Sequence, residues 1–147
     1  MSERSQIDEL TPSEAFNALG SDPSAQLVDV RTRAEWSFVG VPDLSGLGRQ
    51  VWTVEWVRFP DMQPNPDFLA TLLELSGGRL PDRLCFICRS GARSMAAARL
   101  VAAAADDMGH GVHCTNVAEG FEGDLNPDRH RGTVNGWKAH GLPWQQN

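Results

Sequence analysis

The chain lacks any apolar run long enough to cross a bilayer: its most hydrophobic stretch, Met95–Ala105, is short and interrupted by Arg99. It lacks an excess of positive charge as well. Thirteen Lys and Arg stand against 19 Asp and Glu, a formal net charge of −6, which argues against nucleic acid or an anionic membrane as the main partner. The opening decapeptide, MSERSQIDEL, is too polar for a secretory signal, so the expected location is the cytoplasm. Cysteines are few and odd in number (Cys85, Cys88 and Cys114), which does not suggest a disulfide scaffold. Internal repeats and low-complexity tracts are absent. With 147 residues, 41% of them hydrophobic, the chain suits one domain with a real core, residues 1–147.

What is present centres on Leu84 to Leu100, LCFICRSGARSMAAARL. Leu84-Cys85-Phe86-Ile87 has the length and composition of a buried strand. Ala97, Leu100, Val101, Ala104 and Met108 recur at helical spacing and mark the inner face of a helix. Between these lies Cys88-Arg89-Ser90-Gly91-Ala92-Arg93, a thiol at a strand's carboxyl end followed by a loop into a helix amino terminus. The first amides of a helix lack internal partners and favour negative charge. Gly91 lets the backbone turn closely. Arg89 and Arg93 add cationic planar donors, and the same field favours a Cys88 thiolate. A nucleophile that attacks anionic substrates is the expectation.

Elsewhere, Thr11-Pro12-Ser13-Glu14 reads as a capping box opening a helix with Phe16 and Leu19 inward and Gly20 as its stop. Gln26–Val30 is a hydrophobic strand. Asp29 and Thr32 can cap the helix after it, and Arg31 and Glu35, four apart, can pair on one face. Ser45–Arg49 is a loop. Val51–Val57 alternates as a strand, with Trp52, Val54 and Trp56 on one face. Arg58 reads as a surface residue, and Asp67–Leu75 as a helix stopped by Gly77-Gly78. Asp106 and Asp107 suit solvent at the wrong helix end for the dipole. Val112–Val117 is the last strand. Such alternation implies a parallel sheet with helices on both faces, and a ligand site beyond the strands' carboxyl ends, where Cys88 falls.

Two other chemistries are weaker. Cys85 and Cys88 form a C-x-x-C, but residues three apart on a strand point to opposite faces, and Cys85 reads as a small core residue. There is no second such pair, and His113 with Cys114 is too little for zinc. His110, His113, His130 and His140 have no spacing that selects one as a base for Cys88.

The 88–93 loop resembles the active-site loop of rhodaneses, above all single-domain sulfurtransferases. In that family the loop cysteine accepts a sulfane sulfur as a persulfide and passes it on. LVDVRTRAEW resembles the family's first segment, which makes Asp29, Arg31 and Glu35 structural residues. Ala118-Glu119-Gly120-Phe121 resembles its glycine-rich turn, and Gly136-Trp137 through Gly141-Leu142-Pro143 its closing helix and tail. One departure stands out: the family's Gly-His-Ile-Pro-Gly-Ala is Val39-Gly40-Val41-Pro42-Asp43-Leu44 here, with Gly40 in place of the histidine. The resemblance covers residues 7–145, and 122–135, with the basic Arg129-His130-Arg131, is a polar insertion expected to be an exposed loop, with a specificity loop reaching toward the active site as the alternative.

The resemblance implies a three-layer α/β/α fold around a mostly parallel sheet of about five strands. It implies a sulfurtransferase in which Cys88 is the nucleophile. Arg89, Ser90, Gly91, Ala92, Arg93 and Ser94 would bind the substrate, with no metal and no cofactor. The expected partners are a small anionic sulfur donor such as thiosulfate and a thiol or protein acceptor. A persulfide carrier or a non-catalytic interaction module is the alternative. Phosphatases and arsenate reductases of the same fold use a loop one residue longer, and the four residues between Cys88 and Arg93 match the shorter form.

Overall fold

The computed structural model describes residues 4–146, and its elements follow the alternation of apolar runs and capping residues. β1 (Gln6–Leu10) leads into α1 (Pro12–Ser21), β2 (Ala25–Asp29), α2 (Arg33–Phe38), a short β3 (Val41–Pro42) and a 3₁₀ turn at Ser45–Leu47. Three more short strands, β4 (Trp52–Thr53), β5 (Val57–Arg58) and β6 (Gln63–Pro64), precede α3 (Phe68–Leu75). β7 (Arg83–Ile87), α4 (Ala92–Asp107), β8 (His113–Val117) and β9 (Trp144–Gln145) follow.

Five strands form one sheet in the order β1–β8–β7–β2–β4, with every neighbouring pair parallel. The chain runs outward from β2 to β4 and then returns to β7 on the other side of β2. Strand order therefore reverses between β2 and β7. Open α/β sheets bind ligands at such a reversal, and Cys88 follows directly on β7.

Side chains alternate across the sheet. Leu84 and Phe86 pack with Val28 against Phe68 and Leu72 of α3 and Ala97, Val101 and Ala105 of α4. Cys85 and Ile87 face the opposite layer, with Leu27, against Ala15 and Leu19 of α1 and against Phe121 and Trp137. Each wholly buried leucine or phenylalanine contributes about 1.5–3 kcal/mol. The fold is the expected α/β rhodanese-like one, three layers about a parallel sheet. Among the described residues no helix is long and apolar enough to cross a membrane.

Several local expectations are corrected. The polar QIDEL segment is a strand that composition does not signal: β1 takes the sheet edge, where pairing along one side with β8 suffices. α1 opens on the expected Thr11–Glu14 capping box but runs past Gly20 to Ser21. Val51–Val57 pairs with β2 as a strand only at Trp52 and Thr53, although Trp52, Val54 and Trp56 do share the core. On α4 the buried residues are Ser94, Ala97, Ala98, Val101, Ala102 and Ala105. Leu100 and Met108, expected inside, are exposed, because small alanines rather than the larger side chains meet the sheet.

The expected closing helix is a series of turns. Trp137 anchors them from a fully buried position, edge-on to Phe16 and donating its indole N–H to the Pro143 carbonyl at 2.7 Å. The tail then pairs β9 antiparallel to β3. This pairing accounts for Gly40. Its φ is +108°, and a Cβ there would lie 2.8 Å from both the Gln145 carbonyl oxygen and the Trp144 ring, so the tail occupies the space a histidine side chain would need.

Candidate functional site

β7 is buried from Leu84 to Ile87 and delivers Cys88 to the sheet's carboxyl edge, where the residue is 1% exposed. Gly91, with φ of +115°, takes the left-handed conformation that turns the chain into α4. This turn wraps the loop around the sulfur. The Gly91 N–H donates to Cys88 Sγ at 3.1 Å, and Ser94 Oγ lies 3.2 Å from Sγ. Arg89 and Ala92 are exposed and Ser90 is half-buried.

Ser94 leads to a residue that sequence reading missed. Its hydroxyl is 2.5 Å from Asn116 Oδ1, and Asn116 Nδ2 donates to Glu9 at 2.9 Å and to the Gly91 carbonyl at 3.2 Å. Asn116 is a buried amide near the end of β8, opposite Phe86 on the neighbouring β7. A polar residue in an otherwise apolar strand was the available signal.

Arg93 does not stand free for an anion. Its two terminal nitrogens donate to the Glu35 carboxylate at 2.8 and 2.9 Å, a bidentate pair. Burial pushes the Glu35 carboxyl up, but the hydrogen bonds and charge of Arg93, with the bonds from Thr32, outweigh it and hold the carboxyl below its ordinary value. Burial likewise pulls Arg93 down, and Glu35 more than reverses it.

The expected Arg31–Glu35 pair is therefore replaced. Arg31 turns back onto Asp29, its Nη2 donating to Oδ2 at 2.6 Å, with both side chains fully buried. Nη2 also donates to the Gly40 carbonyl at 2.7 Å, and the guanidinium lies over the Phe121 ring. Asp29, expected as a cap, accepts from Arg31 instead; Thr32 caps α2 and completes its capping box with Glu35.

The glycine-rich turn clamps the Cys88 loop. Phe121 N–H donates to the Cys88 carbonyl at 2.8 Å, and the Glu122 and Gly123 N–H groups both donate to the Arg89 carbonyl at 3.1 Å. A Cβ on Gly120 would sit 2.5 Å from the Arg89 carbonyl carbon and oxygen, so only glycine fits.

The 122–135 segment is exposed over much of its length, and it also lines a cleft beside the Cys88 loop. Gly132 N–H donates to the Glu122 carbonyl at 2.8 Å, the Asn126 side chain accepts from the Asp128 and His130 N–H groups, and Arg131 donates to the Gly123 carbonyl. Arg129 and Arg131 thereby join Arg89, Arg93 and Glu35 around one cleft of about 580 Å³. Arg58 is outside it, exposed and paired with Asp67.

Cys85 and Cys114 are different thiols. Burial pushes them up to about 11 and about 12, and Cys85 faces the sheet layer opposite to Cys88. Among the described residues no histidine bonds Cys88: His110 pairs with Asp82, His113 with Asp8, and His140 with Glu119. Nor do three or more His, Cys, Asp or Glu among them group as a metal site.

No family model matches the chain. It is 35% identical over 139 residues to the uncharacterized protein RC0915 of Rickettsia conorii, covering 95% of this chain and 98% of that one. It is 48% identical to Rv0390 from M. tuberculosis, a crystal structure that superposes with a TM-score of 0.81 over 97% of this chain and all of the other. The polysulfide-sulfur transferase of Wolinella succinogenes, 19% identical with a TM-score of 0.56 over 96% of this chain and 80% of that one, shares the fold. Fold, loop and relatives agree that the chain belongs to the rhodanese-like family.

Proposed function

We propose that the protein is a sulfurtransferase that carries sulfane sulfur on Cys88. The observation that carries this reading is the seating of Sγ, with the Gly91 N–H and the Ser94 hydroxyl 3.1 and 3.2 Å away in a loop of four residues between Cys88 and Arg93. Such a small ring suits a single charged sulfur, whereas a tetrahedral phosphate or arsenate needs more room.

In the first step the Cys88 thiolate attacks the outer sulfur of thiosulfate or a similar donor. A sulfur–sulfur bond forms to Cys88, the donor's own sulfur–sulfur bond breaks, and sulfite leaves with the electron pair. The persulfide anion then rests against the Gly91 N–H and Ser94 hydroxyl, as charge-assisted hydrogen bonds favour. An acceptor, whether cyanide, a thiol or a protein cysteine, next attacks the outer sulfur and restores the Cys88 thiolate. The neighbouring transferase of W. succinogenes is named for polysulfide sulfur, which agrees in chemical class.

The test is the intact mass of the protein before thiosulfate, after it, and after cyanide, with Cys88→Ser alongside. One sulfur gained by the wild type only and released as thiocyanate is the expected result. No sulfur gain from thiosulfate or other sulfane donors overturns the reading. Sulfur gained but released only to a protein acceptor makes Cys88 a persulfide carrier.

A further inference from the structure

The cleft beside the Cys88 loop is larger than thiosulfate needs. Its volume of about 580 Å³ falls within the roughly 300–1,000 Å³ of sites for drug-sized organic ligands, whereas thiosulfate has only about five heavy atoms. Its lining is of two kinds. Phe59, Met62 and Leu125 offer an apolar stretch, 60%, 46% and 50% exposed. Arg89, Arg129 and Arg131 offer guanidiniums that, among the described residues, have no carboxylate within ion-pair distance. Arg93 is matched by Glu35, and Glu122 is the cleft's other acid. Four arginines thus face two glutamates in a protein of net charge −6.

We infer that this cleft is the subsite for the organic part of an acceptor thiol bearing carboxylates, with Arg129 and Arg131 binding the carboxylates, an inference that rests on sulfur transfer through Cys88. A guanidinium matches a carboxylate with two parallel N–H donors. The apolar stretch matches the hydrocarbon between carboxylate and thiol. An inorganic anion makes no use of the apolar wall, and a neutral thiol leaves unanswered the Arg129 guanidinium and the donors of Arg131 other than the nitrogen that bonds the Gly123 carbonyl. Cys88 is 1% exposed and does not itself line the cleft, whereas its loop neighbours Arg89 and Arg93 do, so the acceptor's bulk stays in the cleft and only its thiolate has to reach past the loop to the sulfur.

The step needs no oxidant or reductant. The acceptor thiolate attacks the outer sulfur of Cys88 persulfide, and a new sulfur–sulfur bond forms on the acceptor. The bond to Cys88 breaks with its electron pair returning to Cys88 as the thiolate, and the transferred sulfur carries with it the negative charge it held on Cys88.

The experiment loads wild type and the double variant Arg129→Ala/Arg131→Ala with thiosulfate and follows loss of the extra sulfur by mass; because Arg131 also donates to the Gly123 carbonyl beside the Cys88 loop, Arg129→Ala alone and the urea midpoint of each variant are measured alongside. The acceptors are glutathione and mercaptosuccinate, which carry carboxylates, 2-mercaptoethanol, which carries none, and cyanide. Each acceptor is compared with itself across the two proteins, so intrinsic nucleophilicity cancels. The double variant should slow both carboxylate thiols at least about fivefold, as loss of partly exposed charge-assisted bonds implies. Transfer to 2-mercaptoethanol and cyanide, and loading by thiosulfate, should stay within about twofold. A uniform change for all thiols, or none, overturns the inference while leaving transfer through Cys88 standing; no change for any small thiol would direct the cleft to a protein partner instead. Failure of the wild type to take up sulfur removes the transfer reading and this inference with it.

Discussion

Glu35 and Arg93, 58 residues apart, are joined by two parallel hydrogen bonds of 2.8 and 2.9 Å that tie the first turn of α2 to the first turn of α4. The pair holds the helix that begins at the Cys88 loop. It also occupies the guanidinium that sequence alone offered as an anion ligand.

Glu35→Gln should therefore destabilise the fold by about 1–3 kcal/mol, since it leaves a charged, half-buried Arg93 with a weaker partner. The effect has a pH signature. Glu35 is held below its ordinary value of 4.5 in the folded protein, so its stabilisation is complete above that value and is lost as pH falls through the lower folded one. Urea midpoints of wild type and Glu35→Gln should differ at neutral pH and converge on acidification. A gap that persists unchanged into strong acid contradicts the assignment.

Gly120→Ala tests the clamp on the Cys88 loop. The new Cβ would meet backbone atoms of Arg89 and Cys88 at 2.5–2.6 Å, on a residue whose φ is +68°. Backbone cannot swing aside as a side chain can, so a loss of more than about 2 kcal/mol is expected, with impaired sulfur loading. Gly109→Ala is the control: its φ is +74° but nothing lies within 4 Å, and it should cost only about 1 kcal/mol and leave loading intact. Equal losses of stability and loading in the two variants would show that conformational strain alone is at work.

Thiol reactivity separates the cysteines. Cys85 and Cys114, pushed up by burial to about 11 and about 12, stay protonated at pH about 8, where an ordinary thiol begins to ionise. Iodoacetamide on the folded protein should label Cys88 first and leave the other two unlabelled until denaturant is added. Peptide mapping that finds Cys85 or Cys114 labelled early refutes this.

The legible parts of the sequence were those set by local chemistry. Thr11 with Glu14 announces its helix start because a capping box lies within one turn, and Thr32 announces the next as a cap, although its box with Glu35 shows only in the structure. Cys88 to Arg93 announces its loop because strand, glycine and helix are contiguous. What escaped depends on distant segments. Nothing near Glu35 signals that Arg93 will reach it, so Arg31 at the right helical spacing looked like the partner. Nothing in QIDEL signals a strand until β8 offers an edge. Gly40 reads as a lost histidine until β9 folds across it, and Asn116 gains meaning only once β8 lies beside β7.

Ser94→Ala probes the sulfur's seat directly. The Ser94 hydroxyl has one proton and three neighbours: Cys88 Sγ at 3.2 Å, Asn116 Oδ1 at 2.5 Å and the Gly91 carbonyl at 3.2 Å. While Cys88 is a thiol, the serine proton can rest on Asn116 and the serine oxygen can accept from S–H. When charge appears on the sulfur, rotating the hydroxyl supplies a second donor beside the Gly91 N–H. Removing it takes away one hydrogen bond to a charged acceptor, worth about 1.5–3 kcal/mol, so thiosulfate loading should slow by about ten- to a hundredfold. Ser94→Thr keeps the hydroxyl and should restore most of the rate if the added methyl is tolerated in this buried position, which its urea midpoint reports. Asn116→Ala frees the serine proton from its competing acceptor and should slow loading less than Ser94→Ala does. Loading in Ser94→Ala at the wild-type rate, with an unchanged urea midpoint, would mean that the Gly91 N–H alone carries the charge.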